Sequence, residues 1–481
     1  MFHVLRSLIV TRLPAAVTCI GLFGAWGVAI DAGDVAYFRH DQGVQDEKPL
    51  PNLDSESSLV WRTELLPGHS TPCVCGDLLV LTTYDEEAEA LATVALDRKT
   101  GEVRWTRPVP SESIEETHRT GSPAASSPAF NGEHVFVFFG SYGLMCYDLD
   151  GELVWSREMG PFQDEFGASS SPILVDGKVI LNEDHDVDSF IIALDQQTGE
   201  TVWSTPREEA TRSYSTPVVW EVDGEPQIVV AGALKLTAYD VSTGKEIWWV
   251  NGLSRIVDTT PVITDRGLFL ATWTPGGDTT NRIAMEPFEE AVGQYDKNGD
   301  GEIGKDELDE GPVLQRFFRI DLNQNGALDA EEWARHASVF ERAQNVAMLV
   351  KPGGEGDVTE THVEWIAREG LPVVPSPVVY QDVMYMVRDG GVITTLDVDT
   401  GEIIKQGRAV GGGNFYASAV AGDGKVYLAS ELGIVTVLSA GRDWEVISSR
   451  DFEERIMATP LIDGGRLYVR TDEALYCFEG P

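Results

Sequence analysis

A short motif recurs along this chain and limits the folds that the chain can adopt. Four clear copies of the pattern ALDxxTGExxW begin at residues 94, 146, 192 and 238: VALDRKTGEVRW, CYDLDGELVW, IALDQQTGETVW and AYDVSTGKEIWW. TLDVDTGEIIK, from residue 395, is a weaker copy, and GDVTETHVEW and VLSAGRDWEV are eroded ones. The Asp side chain can accept turn amides, Thr-Gly supplies a positive-φ exit, and the next strand carries a Trp towards a neighbouring sheet. The motif therefore predicts a repeated β-hairpin.

A second mark counts the repeats. Ser-Pro or Thr-Pro opens a short apolar strand seven times, and YASAV takes the same place without the proline. The eight positions are Pro72, Pro128, Pro172, Pro217, Pro261, Pro377, Ala419 and Pro460. They are 41 to 56 residues apart, except for one interval of 116 residues after Pro261. Repeats of this length are typical of the four-stranded blades of a β-propeller.

The two ends of the chain complete the count. The last unit, MATPLIDGGRLYVRTDEALYCFEG, supplies three strands, and SSLVWRTELLPG at residues 57–68 supplies a fourth, with Trp61 in the Trp position of the repeat. Pairing these segments closes the ring and leaves no open edge at the junction. We therefore predict an all-β, eight-bladed propeller of four-stranded blades, formed by residues 57–283 and 346–481.

The long interval contains two EF-hand loops, DKNGDGEIGKDE (296–307) and DLNQNGALDAEE (321–332), with helical flanks. Calcium takes about six to eight oxygen ligands, which such a loop presents from positions 1, 3, 5, 7, 9 and 12. The expected ligands are Asp296, Asn298, Asp300, the Glu302 carbonyl and Glu307, then Asp321, Asn323, Asn325, the Ala327 carbonyl, Asp329 and Glu332. Ile303 and Leu328 should pair as a short β-bridge. We predict two calcium sites in an α-helical insertion, residues 284–345, with a structural role favoured over a sensing one.

The insertion also indicates which face of the propeller carries function. If strands A to D run from axis to rim, the B–C turns and D–A links share one face, here called the insertion face. Links on this face bring these residues towards the central funnel: His118, Arg119, Phe166, Arg212, Tyr214, Arg255, Phe415, Tyr416 and Arg455. Arginines and aromatics suit an anionic or polar ligand, but the arginines can instead pair with local carboxylates and order the loops.

One B–C turn, NEDHDVDS, concentrates potential metal ligands: Asp184, His185, Asp186 and Asp188. A solvated acidic loop is the expectation, and metal binding is the alternative.

Charge and the N-terminus limit the partners. The net charge of −42 and the pI near 4.4 oppose binding to nucleic acid or an anionic membrane surface. Arg6 and Arg12 precede an uncharged run at residues 13–30, and together they have the parts of an export signal. Residues 1–32 are expected to be a signal peptide, cleaved after Gly27 or Ala32, or an uncleaved anchor, and residues 33–56 a linker. We expect an exported monomer, periplasmic or extracellular.

The repeats resemble the quinoprotein-like (PQQ-repeat) eight-bladed propeller family, which includes pyrroloquinoline-quinone dehydrogenases and the lipoprotein of the β-barrel assembly machinery. The chain is similar to exported planctomycete-type members with blocks such as SSPAFNGEHVFVFFGSYGLMCYDLDGELVW. The resemblance covers residues 57–481 apart from the interruption, and it implies the fold but not a quinone cofactor.

Catalysis is not the preferred interpretation. Quinone dehydrogenases resembling this fold usually carry adjacent cysteines, whereas this sequence has no Cys-Cys pair and no Cys-x-x-Cys-His haem site. Cys73, Cys75, Cys146 and Cys477 read as small core residues. We expect a non-catalytic, calcium-binding module with a protein or saccharide partner at the funnel face. A PQQ-dependent dehydrogenase and an envelope-assembly scaffold are the alternatives.

Overall fold

The computed structural model describes residues 37–277 and 285–481, which form an eight-bladed β-propeller with a helical insertion. Each blade is an antiparallel sheet with strands in the order A, B, C and D. Blades 1 to 4 comprise Cys73–Cys75, Leu78–Asp85, Ala90–Asp97 and Val103–Pro108; Ala129–Phe130, Val135–Phe139, Gly143–Tyr147 and Leu153–Glu158; Ile173–Val175, Lys178–Glu183, Phe190–Asp195 and Thr201–Pro206; Val218–Val222, Glu225–Gly232, Lys235–Asp240 and Glu246–Asn251. Blades 5 to 8 comprise Val262–Thr264, Gly267–Thr272, Val346–Val350 and Val363–Ala367; Val378–Tyr380, Val383–Arg388, Val392–Asp397 and Ile403–Arg408; Val420–Gly422, Lys425–Ala429, Ile434–Ser439 and Val446–Asp451; Leu461–Asp463, Arg466–Arg470, Ala474–Glu479 and Leu59–Glu64.

The N-terminal strand closes the ring, as the sequence predicts. Strand Leu59–Glu64 pairs antiparallel with Ala474–Glu479, and Trp61 lies opposite Cys477. Trp61 is buried between blades 8 and 1 with Val74 and Tyr468. The last blade therefore takes its outer strand from the start of the propeller, and this join stabilises the closed ring.

Where the motif is intact, the recurring Trp can connect a blade to the next one, as blade 2 shows. Trp155, in strand D of blade 2, donates its indole N–H to the Gln196 carbonyl in the C–D turn of blade 3, at 3.0 Å. Gly199 of that turn has φ +70°, and a Cβ built on it would lie 2.6 Å from the indole. The Thr-Gly dipeptide thus provides both the left-handed turn and the space for the Trp of the preceding blade.

Two eroded copies of the motif show how the ring tolerates their loss. The C–D connection of blade 5 contains a short helix, Thr359–His362, and adds Gly356–Asp357 as a parallel fifth strand to blade 4. In blade 6 the Trp position is held by Lys405. The ring of Trp444, from the eroded turn of blade 7, has its centroid 4.8 Å from the Lys405 Nζ, and its indole N–H donates to the Thr395 hydroxyl. The space of a missing Trp is therefore filled from the neighbouring blade.

The hydroxyl residues before the eight strand-A positions surround the axis and line its central cavity: Thr71, Ser127, Ser171, Thr216, Thr260, Ser376, Ser418 and Thr459. At six junctions the N–H of one member donates to the hydroxyl of the next, at 2.9 to 3.1 Å. Thr71 also donates its hydroxyl to the Thr459 carbonyl, at 3.0 Å. The residues that precede the strand-A positions therefore form a set of hydrogen-bonded hydroxyl groups, here called the hydroxyl ring, which joins blades at the axis.

The insertion leaves blade 5 between strands B and C. Its helices are α1 (Phe288–Tyr295), α2 (Pro312–Ile320) and α3 (Ala330–Arg342). Strands Ile303–Gly304 and Ala327–Leu328 pair, with Ile303 opposite Leu328, which confirms the predicted bridge. The insertion has its own core, centred on Phe317 and Trp333, and the Trp333 indole donates to the Glu286 carbonyl at 2.8 Å.

Residues 37–56 pack on the propeller, in contrast to the linker predicted for 33–56. Tyr37 contacts the cores of blades 2 to 4, and Arg39 donates to the Ala419 and Pro377 carbonyls on the opposite side of the axis. The side-chain carbonyl of Gln42 accepts from the Ile263 N–H in blade 5. This segment therefore crosses the axis on the face opposite the insertion.

The predicted signal or anchor, residues 1–32, lies outside the described residues. Within residues 37–277 and 285–481, no helix is long and apolar enough to cross a membrane.

Candidate functional site

The first EF-hand loop is organised around its own backbone amides. Glu307, at position 12, is 5% exposed, and its carboxylate accepts from the N–H groups of Lys297, Asn298 and Gly304 at 2.7 to 2.9 Å. Asp296 accepts from Gly299 and Gly301. The Gly299 N–H is the largest of the contributions that lower the pKa of Asp296, so this carboxylate is held in the charged form that calcium requires.

The second loop repeats this arrangement. Asp321 accepts from Asn325 and Gly326, and the Glu332 carboxylate accepts from Leu322 at 3.0 Å. Burial raises the pKa of Glu332, which is 7% exposed. The four residues at positions 1 and 12 of the two loops thus turn towards their loop interiors, as an EF-hand needs.

Asp329 has a second role besides its predicted place as a ligand. It is the N-cap of α3, because its carboxylate accepts from the Glu332 N–H at 2.8 Å, and Glu332 accepts in return from the Asp329 N–H at 3.3 Å. This capping box fixes where α3 begins, so it positions the bidentate ligand expected at position 12.

The donor set of both loops fits calcium in chemistry. It combines carboxylates, Asn carbonyls and one backbone carbonyl per loop, which are the hard oxygen ligands that calcium takes. Within the described part of the chain, no three His, Cys, Asp or Glu side chains converge as a metal-holding group. Side-chain oxygens of the two loops accept backbone N–H groups instead: Asn298 from Asp300, Asp300 from Glu302, and Asn325 from Ala327.

The insertion is attached to the rim of the funnel through α2 and the start of the second loop. Arg212 donates to the Phe318 carbonyl at 3.4 Å, and Gln163 donates to the Leu322 carbonyl. Arg319 forms an ion pair with Glu165 at 3.5 Å. The second EF-hand loop therefore adjoins the links that precede blades 3 and 4.

The central cavity has a volume of 420 Å³ and lies along the axis between the hydroxyl ring and the insertion face. Its inner end includes Phe38, from the N-terminal segment. Aromatic residues Phe166, Tyr214 and Tyr416 contribute to the walls. The charged or titratable members of the lining are His69, Glu165, Arg255, Asp258, Arg319 and Asp389. Such a concave site with a few placed polar groups is the usual form of a small-molecule pocket.

The predicted funnel residues divide into three groups. Tyr214 and Arg255 line the cavity, together with Phe166 and Tyr416. Arg212 is buried behind the wall, and Phe415 packs in a blade core. His118, Arg119 and Arg455 do not line the cavity: the first two are exposed, and Arg455 lies 3.9 Å from Asp472. The links thus reach the funnel, but only some of their side chains face it.

Sequence reasoning missed Phe38, Asp258, Arg319 and the hydroxyl ring. The ring had a signal, since its members precede the strand-A prolines, but that mark was interpreted only as the start of a strand. Arg319 carried none, because its position depends on how the insertion docks.

The turn with Asp184, His185, Asp186 and Asp188 is not a solvated acidic loop, and that expectation was wrong. The first three residues are each 2% exposed. Asp184 forms a bidentate ion pair with Arg207, and Asp186 forms one with Arg212. These arginines, from the link that follows strand D of blade 3, neutralise the carboxylates and allow the turn to be buried.

His185 lies between two carboxylates, 2.9 Å from Glu183 and 3.6 Å from Asp164, with its ring stacked on Phe162. Burial lowers the pKa of His185, but these two partners outweigh it and raise the pKa to about 10. The turn is therefore an ordered, ion-paired support for the funnel wall.

The family model described as outer membrane protein assembly factor BamB matches residues 22–157 and 92–266. Together these matches span residues 22–266, or 245 of the 481 residues. The chain belongs to this PQQ-repeat family. A family model for the EF hand matches residues 293–311 and 314–335 of the insertion, which indicates calcium binding.

Among curated proteins, an outer membrane protein assembly factor BamB from Yersinia pestis is 24% identical over 273 residues. The alignment covers 51% of this chain and 63% of that relative, so the chain spans less than two thirds of the relative's length.

Solved structures show the same fold. BamB from Moraxella catarrhalis matches with a TM-score of 0.54 and 13% identity, covering 87% of this chain and 100% of that one. The computationally designed Ika8 protein matches with a TM-score of 0.53 and 9% identity, covering 88% and 99%. A designed chain shares the fold as closely as a natural one does, so these likenesses concern architecture alone.

Proposed function

We propose that this chain is an exported, non-catalytic β-propeller in which two calcium ions order an EF-hand pair beside the funnel. The ordered insertion face then serves as a binding surface for a protein or saccharide partner. The observation that carries this proposal is the attachment of α2 and the second loop: Arg212 and Gln163 of the propeller donate hydrogen bonds to the Phe318 and Leu322 carbonyls.

The attachment gives calcium a structural task. The Leu322 carbonyl belongs to the residue after Asp321, the expected position 1 ligand, and the Leu322 N–H donates to Glu332, the expected position 12 ligand. Calcium on these two carboxylates would fix the segment that the propeller holds. Loss of calcium would leave adjacent carboxylates in mutual repulsion and loosen the docked helix.

An envelope scaffold is the narrower form of the proposal. The family match and the Yersinia relative, both named as outer membrane protein assembly factors, support a role in bringing proteins together at the cell envelope. We infer a periplasmic location on the same ground.

Calorimetric titration with calcium tests the proposal. The wild type should bind two ions, and a variant with Glu307→Gln and Glu332→Gln should lose this heat, because a bidentate ligand is weakened in each loop. A matched control, Glu310→Gln with Glu331→Gln, makes the same charge change at two exposed positions of the insertion and should bind like the wild type. Equal calcium heats for the two double variants would refute the proposed sites.

A second measurement addresses catalysis. The calcium-loaded protein is mixed with pyrroloquinoline quinone, and alcohol-dependent dye reduction is followed. We expect no turnover, since the described cysteines, Cys73, Cys75, Cys146 and Cys477, are buried in blades and do not line the cavity. Stoichiometric quinone binding with turnover would overturn the non-catalytic assignment.

A further inference from the structure

Arg255 is the unmatched charge of the central cavity. Its Nε donates to the Pro275 carbonyl at 3.0 Å, and within the described residues it forms no ion pair. Arg212, by contrast, pairs with Asp186 and Glu165. A guanidinium partly removed from water without a carboxylate is costly, and a ligand carboxylate would supply the missing counterion.

Neighbouring charges reinforce this demand for an anion. Burial, followed by the charges of Arg319 and Arg212, lowers the pKa of Arg255 to about 10, so the group is still charged at neutral pH. The nearby Glu165 is shared between Arg212 and Arg319. The charges of Glu165 and Asp258 favour the charged form of Arg255 and partly offset this lowering of its pKa, but neither carboxylate forms an ion pair with Arg255 among the described residues.

Two other carboxyl groups, Asp258 and Asp389, line the cavity, and burial raises the pKa of each. Burial raises the pKa of Asp258 to about 7, with a further rise from Asp164 and an opposing effect of Arg255. Burial also raises the pKa of Asp389, which accepts from the Phe415 N–H at 3.3 Å. Asp258, with a pKa near 7, can donate as well as accept a hydrogen bond, which suits a hydroxyl-bearing ligand.

The hydroxyl ring adds donors at the inner end. Each of six hydroxyl oxygens accepts one backbone N–H, for example Ser376 from Thr260 and Ser418 from Ser376. A hydroxyl that accepts in this way still has its own proton to donate. Because these residues line the cavity, they present a circle of small donors to a ligand with several oxygens.

The walls favour a ring over an extended chain. Phe166 and Tyr214 meet edge to face at 5.8 Å, and the Tyr214 hydroxyl is engaged by Asp164 at 2.6 Å. Tyr214 therefore offers mainly ring surface to the cavity, and Tyr416 lines it as well. Aromatic surface beside placed hydrogen-bonding groups suits a ligand with both apolar and polar faces. The volume of 420 Å³ lies within the range of small-molecule sites.

We propose that the cavity binds a saccharide that bears a carboxylate, with the carboxylate on Arg255 and the sugar hydroxyls on the Ser/Thr ring and the two aspartic acids. The proposal rests on the proposed function, because it names the ligand class of the same face. The two proposals can be tested separately, because the saccharide titration does not measure calcium binding.

The test titrates digalacturonate into the calcium-loaded protein by calorimetry, with galactobiose as the uncharged counterpart. The wild type should bind digalacturonate and not measurably bind galactobiose. Arg255→Gln should weaken the binding by about tenfold to a hundredfold, as expected for loss of a charge-assisted pair, and Arg255→Lys by less. Arg104→Gln, at an exposed position outside the cavity, is the matched control and should bind like the wild type.

Calcium titration of Arg255→Gln tests whether its insertion is still folded, and normal calcium binding is expected. If the wild type binds calcium normally but does not bind digalacturonate, this inference is overturned and the proposed function still stands. Equal affinity for galactobiose, or unchanged affinity in Arg255→Gln, would also overturn it. So would tighter binding of inorganic phosphate or of a peptide C-terminal carboxylate, which are tested as competitors.

Discussion

Two glycines of blade 3 share one backbone conformation but differ in their neighbours. Gly199, in the C–D turn, has φ +70°, and Gly177, in the A–B turn, has φ +71°. A Cβ on Gly199 would meet the Trp155 indole at 2.6 Å, whereas a Cβ on Gly177 would have no atom within 4 Å. Alanine substitutions at these two positions therefore separate the free-energy cost of a side chain in the left-handed turn from the cost of crowding the Trp.

We expect Gly199→Ala to destabilise the protein more than Gly177→Ala. Both substitutions place a side chain in the left-handed region, at about 1–2 kcal/mol, and Gly199→Ala adds about 1–3 kcal/mol of overpacking against Trp155. Urea unfolding followed by Trp fluorescence measures the two midpoints. Similar midpoints for the two variants would mean that the Trp is not held closely by the turn.

At the scale of single elements, the repeat was predictable where its motif is intact. In the intact motif the residue types determine the turn: Asp195 accepts hydrogen bonds from turn amides, and Gly199 adopts the left-handed conformation that ends the turn. Where the motif is eroded, the sequence does not predict the local structure. The strand Gly356–Asp357 pairs with the outer edge of blade 4, and Trp444 occupies the place of a Trp that blade 6 lacks. Both depend on a neighbouring blade, which local propensity does not record.

The insertion should be removable without loss of the propeller. Strands Gly267–Thr272 and Val346–Val350 are adjacent and antiparallel, with Thr272 opposite Val346. The same register continued would set position 274 opposite 344, so Asn-Gly in place of residues 275–343 can close a two-residue hairpin.

This deletion variant should remain soluble, with the far-UV circular dichroism of a β-protein and no calcium heat. Its thermal midpoint should fall, because Ala233 and Leu234 lose their contacts with Ala343 and Val339. The Glu307→Gln, Glu332→Gln protein, which retains the insertion, is the comparison. Aggregation of the deletion variant alone would show that the insertion is part of the folding unit.

At the scale of the whole molecule, the funnel combines distant parts of the chain. The N-terminal segment provides Phe38, the insertion provides Arg319, and the blades provide the hydroxyl ring. Only the ring and part of the links were foreseeable, because repeats fix blade positions but not the docking of an insertion or a terminal segment. The same assembly puts an expected calcium ligand, Asp321, two residues after the cavity residue Arg319.

That proximity predicts coupling between calcium and the cavity ligand. Calcium on Asp321 and Glu332 should order the end of α2, hold Arg319 at the cavity and add positive charge near Arg255. Digalacturonate should therefore bind at least about fivefold more tightly with calcium than with chelator, and it should tighten calcium binding by the same factor, since equilibrium coupling is reciprocal. Calorimetric titration of each ligand in the presence and absence of the other measures both factors.

Variants locate the coupling in the second loop. Glu332→Gln should remove most of the effect, whereas Glu307→Gln should reduce it less, because the first loop contacts the second loop, rather than the funnel, through the Ile303–Leu328 bridge and the shared helical core. Arg319→Gln should lower the coupling factor while leaving calcium affinity unchanged in the absence of saccharide, since Arg319 is not an expected calcium ligand. Equal digalacturonate affinities with calcium and with chelator would show that the EF-hand pair and the funnel act independently.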